Sequence, residues 1–165
     1  MSARTALDWQ SEDPGAYTHI ADVIRQISRD ATSDLKELWL RIVFTILVSN
    51  TDDHLKNHGF IYVGGDRWRL SPAFDINPSP DRHRKLETAI MEGGSFDADL
   101  GLALEAAQFF DLDETEARAS AKKIAQTLAG QWRTSLRDEG CSAQEVNQYR
   151  DAFEHDAAEQ ALALE

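Results

Sequence analysis

The sequence predicts a mainly α-helical domain with one small β-hairpin, and three observations carry that prediction. Apolar residues recur at helical spacing on both sides of residues 50–80. Two short runs of β-favouring residues flank a glycine-containing turn, and a proline-rich segment breaks regular structure after it. With 165 residues the chain has room for one domain with a substantial core.

Residues 1–17, which include Asp13-Pro14-Gly15, have no periodicity and are expected to be an irregular lead-in to a domain over 18–165. From Thr18, Ile20, Val23, Ile24 and Ile27 fall on one face of an amphipathic helix that ends near Asp30. The next helix, with Thr32 or Ser33 as its expected cap, is apolar around its whole circumference from Leu35 to Val48 and should form the centre of the core. It stops at Asn50-Thr51-Asp52-Asp53, short polar residues that favour bonds to nearby backbone.

Phe60–Val63 and Trp68–Leu70 then read as two strands around Gly64-Gly65-Asp66-Arg67. Asn77-Pro78-Ser79-Pro80 enforces extended backbone, and order resumes near Leu86–Ile90. Three helices are expected beyond: Ala98–Phe110, Glu114–Asp138 opened by Asp113 and stopped by Gly140, and one from Ala143 opened by Ser142 and Glu145. Trp132, Phe109, Phe110 and Phe153 lie on helical patterns and are expected to pack.

Seventeen Lys and Arg against twenty-nine Asp and Glu give a net charge of −12, which opposes direct contact with nucleic acid or anionic membranes. Cys141 is the single cysteine, so an intrachain disulfide is impossible and a reducing cytoplasm is the expected compartment. The longest apolar stretch, Leu38–Val48, is interrupted by Arg41 and is too short to span a bilayer.

The chemistry-bearing residues lie in the two loops that bracket the hairpin. Asp52 and Asn57 are five positions apart, the spacing of the catalytic Asp and metal-binding Asn in the protein-kinase loop H-R-D-x-x-x-x-N. A hairpin then leads to Phe74-Asp75, where kinases carry a second metal-binding Asp. One carboxylate would orient the attacking hydroxyl, while a second carboxylate and an amide oxygen suit a hard cation against a triphosphate.

The segments Asn50-Thr51-Asp52-Asp53-His54-Leu55-Lys56-Asn57-His58-Gly59-Phe60 and Leu70-Ser71-Pro72-Ala73-Phe74-Asp75 resemble the HipA kinases of bacterial toxin–antitoxin modules. The resemblance covers residues 15–110 and implies the helical C-terminal lobe of a kinase-like fold. It implies ATP and Mg²⁺ as cofactors, Asp52 as catalytic base, and Asn57 and Asp75 as metal ligands. By the same resemblance His54, Leu55, Lys56, Asn57, Phe74 and Asp75 lie along the nucleotide. A protein serine or threonine, on targets that include aminoacyl-tRNA synthetases, would be the substrate, and a helix-turn-helix antitoxin the partner.

No glycine-rich phosphate loop or strand lysine of kinase type occurs in the sequence. The ATP-covering lobe is therefore expected to lie outside this chain, and the chain alone to be inactive or nearly so.

Other readings stand beside these. His54 and His58 are four apart, but there is no H-E-x-x-H and no obvious third zinc ligand. Lys56 could reach a phosphate or pair with Asp52 or Asp53. The basic run Arg82–Lys85 fits a solvated loop better than a substrate-facing segment. Rival functions are a metal-dependent hydrolase built on Asp52, Asp53, His54 and Asp75, and a non-catalytic interaction module of kinase fold.

Overall fold

In the computed structural model, which describes residues 1–8, 15–81 and 84–165, the regular structure is helical apart from a two-stranded hairpin. The elements are α1 Ala3–Ala6, α2 Tyr17–Ile27, α3 Ala31–Leu47, β1 Phe60–Gly64 and β2 Arg67–Leu70. They continue with α4 Leu100–Ala106, α5 Glu114–Asp138, α6 Ala143–Gln148, α7 Arg150–Phe153 and α8 Asp156–Ala163. Among the described residues no helix is long and apolar enough to cross a membrane.

Helix α3 is the axis of the core, as its apolar circumference requires. Leu35, Leu38, Trp39, Ile42, Val43, Ile46 and Leu47 are buried, and the helix packs on α2, α4, α5, α8 and β2. The buried indole of Trp39 donates to Ala103 O at 2.8 Å, which ties α3 to α4. Its cap is Asp30, two or three residues earlier than the sequence suggests: Asp30 Oδ1 accepts from Ser33 N at 3.2 Å, so Thr32 and Ser33 are already in the first turn.

Helix α2 buries Tyr17, Ile20, Ala21, Val23 and Ile24 on a single face. The lead-in contains one turn of helix, α1, because Ser2 accepts from Thr5 N and Ala3 is wholly buried. Ala3 N also donates to His58 O at 2.7 Å, holding this turn against the start of the hairpin. Asp13 and Pro14 of the expected turn lie outside the described residues, as do Arg82 and His83 of the basic run.

The hairpin pairs Phe60 with Leu70 and Tyr62 with Trp68 in antiparallel register, with an irregularity at the turn. It is fastened to α3 by Asp34, a buried carboxylate in the first helical turn. Asp34 accepts from Ser28 Oγ at 2.6 Å, Leu70 N at 3.0 Å and Arg69 Nε at 2.9 Å.

Helix α5 has the bounds read from the sequence, capped by Asp113, whose side chain accepts from Glu116 N. Three other expectations are corrected. Regular structure resumes at α4, Leu100, and not at Leu86–Ile90. The helix over 98–110 tightens to a 3₁₀ turn at Ala107–Phe110 and ends on left-handed Asp111, which leaves Phe109 exposed while Phe110 is buried. The last helix is broken into three: α6 gives way to α7 at Tyr149, and Glu154 is extended, so His155 starts α8 afresh by accepting from Ala158 N. Trp132 stacks on Phe153 at 4.7 Å between ring centroids, packing α5 on α7.

Candidate active site

Two loops meet at one end of α3. The first begins where the helix unwinds: Ser49 takes a left-handed φ of 55° and Asn50 N returns to Thr45 O at 2.9 Å. The polar run that follows divides by burial, with Asp52 exposed and its neighbour Asp53 buried. A 3₁₀ turn over Leu55–Asn57 carries the chain to His58 and into β1.

Asn57 is buried, and its Nδ2 donates to Asp52 O at 3.2 Å, so the two residues five apart are joined directly. The bond uses the amide nitrogen, and Oδ1 is the end a hard cation would take.

The second loop leaves β2 through Ser71. Arg41 of α3 is buried and donates from Nη2 to Ser71 O at 2.6 Å, fixing where the loop starts. Asp75 is exposed and held left-handed, φ 58°, a conformation that costs about 1 kcal/mol for a residue with a Cβ and that Asp tolerates better than most. Asn77 Nδ2 donates to Asp75 Oδ1 at 2.9 Å, which steadies the carboxylate and leaves Oδ2 for another partner. Left-handed non-glycine residues collect at functional sites, where surrounding structure holds the strain.

The loops share a cavity of about 10 Å³ lined by Asp53, Asn57 and His58 from the first, Phe74 and Ile76 from the second, and Arg41 and Thr45 of α3. Beside it, Lys56, Gly59, Ser71 and Phe74 line an open depression of about 490 Å³. The structure therefore brings together Asn57, Lys56 and Phe74 and leaves Asp52 and Asp75 open to solvent. Leu55 is different, because its side chain lies in the core and only its backbone can face a ligand. His54 is half-buried, with a buried Nδ1 that has no partner. Lys56 is exposed and forms no ion pair with Asp52 or Asp53.

Three participants have roles that the sequence does not show. Asp53 accepts a hydrogen bond from Tyr17 Oη and pairs with His58 Nε2 at 3.1 Å. Burial pushes the Asp53 carboxyl up, but the bond and charge of His58, with the Tyr17 hydroxyl, outweigh it and hold the group below the usual carboxylate range. Burial, then the neighbouring Asp53 charge, pushes the Tyr17 phenol well above its ordinary value, so it stays a donor. Arg41 is the third. A helical arginine in an apolar run reads as an interruption, and only the fold shows that it grips the second loop.

Among the described residues no group of three or more His, Cys, Asp or Glu side chains comes together as a metal cluster. Asn57 and Asp75 offer an amide and a carboxylate oxygen, which fits a magnesium ion that takes few protein ligands and completes its shell with phosphate and water.

A helical lobe that presents an Asp-x-x-x-x-Asn loop and an Asp after a hairpin defines a kinase-like C-terminal lobe. The chain belongs to the family described as the HipA-like C-terminal domain, whose family model matches residues 1–132. The fold resembles that of a Shewanella oneidensis MR-1 HipA solved with HipB and operator DNA, with a TM-score of 0.65 and 14% identity over 90% of this chain and 34% of that one.

A Haemophilus influenzae protein named "Putative kinase" is 32% identical over 69 residues, 40% of this chain and 20% of the relative. A Sinorhizobium fredii protein named "Putative kinase Y4dM" is 39% identical over 64 residues, 39% of this chain and 15% of the relative. These matches thus span a fifth or less of the curated relatives' length.

Proposed function

We propose that this lobe belongs to a protein serine/threonine kinase that transfers the γ-phosphate of ATP to a protein hydroxyl as the toxin of a toxin–antitoxin pair. The observation that carries the reading is the meeting of the two loops: Asn57 and Phe74 line one small cavity, with Asp52 and Asp75 exposed beside it.

Asp52 is free to accept or orient the proton of an incoming hydroxyl, because it is exposed and only its backbone carbonyl is tied to Asn57. Asn57 Oδ1 and Asp75 would hold Mg²⁺, whose charge offsets that developing on the phosphates. Lys56, exposed and without a partner carboxylate in its own loop, supplies positive charge on the phosphate side. The kinase names of the two sequence relatives support the same chemistry. The HipB named with the Shewanella structure supports a small DNA-binding antitoxin as partner. The net charge of −12 supports contact with nucleic acid through that partner rather than directly. An aminoacyl-tRNA synthetase is the substrate class the family resemblance suggests, in the cytoplasm.

Manganese can stand in for magnesium and broadens the NMR signals of nearby nuclei. Mn²⁺ with ATP at high concentration is expected to broaden amides of residues 52–58 and 73–77 of this chain, and Asp75→Ala to abolish the effect. Broadening centred elsewhere, or unchanged in Asp75→Ala, would remove the proposal.

A further inference from the structure

We propose that Asp53 is a positioning residue: through its buried contacts with Tyr17 and His58 it sets the pose of the loop that presents Asp52 and Asn57. The inference deepens the phosphoryl-transfer reading and, for its kinetic consequence, rests on it.

Two adjacent carboxylates have opposite surroundings. Asp52 is exposed, whereas Asp53 is 4% exposed. An ionised carboxylate is buried only at a large desolvation cost, so its partners must be good ones. Tyr17 Oη reaches it from α2. His58 Nε2 reaches it from the far end of the same loop at 3.1 Å. The Tyr17 and His58 rings meet edge to face, 5.5 Å between centroids.

The main chain is clamped as well. Thr88 Oγ1 donates to Asp53 O at 2.8 Å and Glu87 N to Thr51 O at 3.2 Å, so the segment at 87–88 runs along the loop.

These bonds join residue 53 to residue 58 and enclose Asn57 between them, while Asn57 in turn grips Asp52 O. A change at Asp53 therefore moves both reacting positions together. Burial of Asp53, and the engagement of its Oδ2 by both Tyr17 and His58, make it a poorer base than the exposed Asp52. The small cavity adjoining it is lined in part by Arg41 and His58, each of which has one buried nitrogen without a protein partner, Nη1 and Nδ1.

Two measurements decide the matter, and the first does not depend on any activity. In this chain, Tyr17→Phe removes only the donor and Asp53→Asn only the charge. Each should speed hydrogen exchange at the Asn57 amide, which bonds His54 O at 2.8 Å, by about tenfold, while α5 amides stay as protected as before. Unchanged exchange at Asn57 in both variants overturns the proposal.

In the full-length protein the same variants should lower kcat by about a hundredfold with KM for Mg·ATP within about threefold, the pattern of a displaced reacting group. His58→Gln, which keeps a donor, should retain more activity than His58→Ala. A folded Tyr17→Phe or Asp53→Asn protein with undiminished kcat overturns the kinetic claim. Faster exchange combined with no phosphoryl transfer by the unmodified full-length protein would sink the kinase reading and leave the clamp standing.

Discussion

Asp34 joins the hairpin to the core helix, and removing its carboxylate gives a perturbation whose size can be worked from the contacts. Asp34→Ala strands the buried Leu70 N–H, which bonds at 3.0 Å, and takes the acceptor from Ser28 Oγ at 2.6 Å. Each orphaned polar group costs about 1–3 kcal/mol. Arg69, a little over one-third exposed, recovers much of its hydration, so its loss adds little. The total is about 3 kcal/mol, at the lower edge of what breaking a buried ionic contact costs. For a chain of this size that lowers Tm by about 6–12 °C.

Asp34→Asn keeps one acceptor oxygen in place and should cost about half as much. Thermal and urea unfolding followed by far-UV circular dichroism measures both variants, with the urea m-value unchanged if the denatured state is unaffected. A loss below about 1 kcal/mol for Asp34→Ala, or an Asn variant as damaging as the Ala one, would refute the assignment of Asp34 as the hairpin's anchor.

Other outcomes follow from single contacts. Trp39→Phe should cost about 1–3 kcal/mol in denaturant unfolding, because Ala103 O loses its buried partner and the smaller ring leaves space in the core. Gly59→Ala places a Cβ 2.9 Å from Ser71 Oγ and 3.4 Å from Phe74 Cε1, so Tm should barely change while nucleotide affinity falls as Phe74 is displaced. His155 is held below the ordinary histidine value by burial, then by the Arg84 charge. Its Nε2 donates to Leu47 O and its Nδ1 accepts from Ala158 N, so the folded state wants it neutral. A depressed histidine leaves stability intact above the unfolded value near 6.5 and loses it as pH falls from there through the folded value. Urea midpoints should therefore drop on acidification from neutral pH, and His155→Gln should flatten that slope.

How much of this was legible in the sequence depended on whether local chemistry or tertiary contact decided each element. Helix α5 has both ends written locally, in the Asp113 cap and the left-handed Gly140 beyond it, and its bounds were read correctly. The central position of α3 followed from its apolar circumference, and the mainly helical, kinase-like class from the helical patterns and the two motifs. The fresh start of α8 was not legible, because it depends on His155, a buried side chain whose ring must find Leu47 O across the fold. Phe109 and Phe110 are equivalent in a helical pattern, and only the change to a 3₁₀ turn sends one outward.

At the candidate site, spacing alone separated Asp52 from Asp53. The physical difference between them, solvent for one and Tyr17 with His58 for the other, is a property of α2 lying over the loop. Asp34 and Arg41 were invisible for the same reason: each acts on a residue about thirty positions away.

The central claim is that Asp52, Asn57 and Asp75 are the working end of a phosphoryl-transfer site. It is tested most directly by following transfer of labelled γ-phosphate from Mg·ATP, including autophosphorylation, in the full-length protein beside its Asp52→Ala and Asp75→Ala variants. The account predicts transfer by the unmodified protein and its loss in both variants, with folding intact. Transfer that survives in folded Asp52→Ala, or an unmodified protein that neither binds nor turns over ATP, would contradict it.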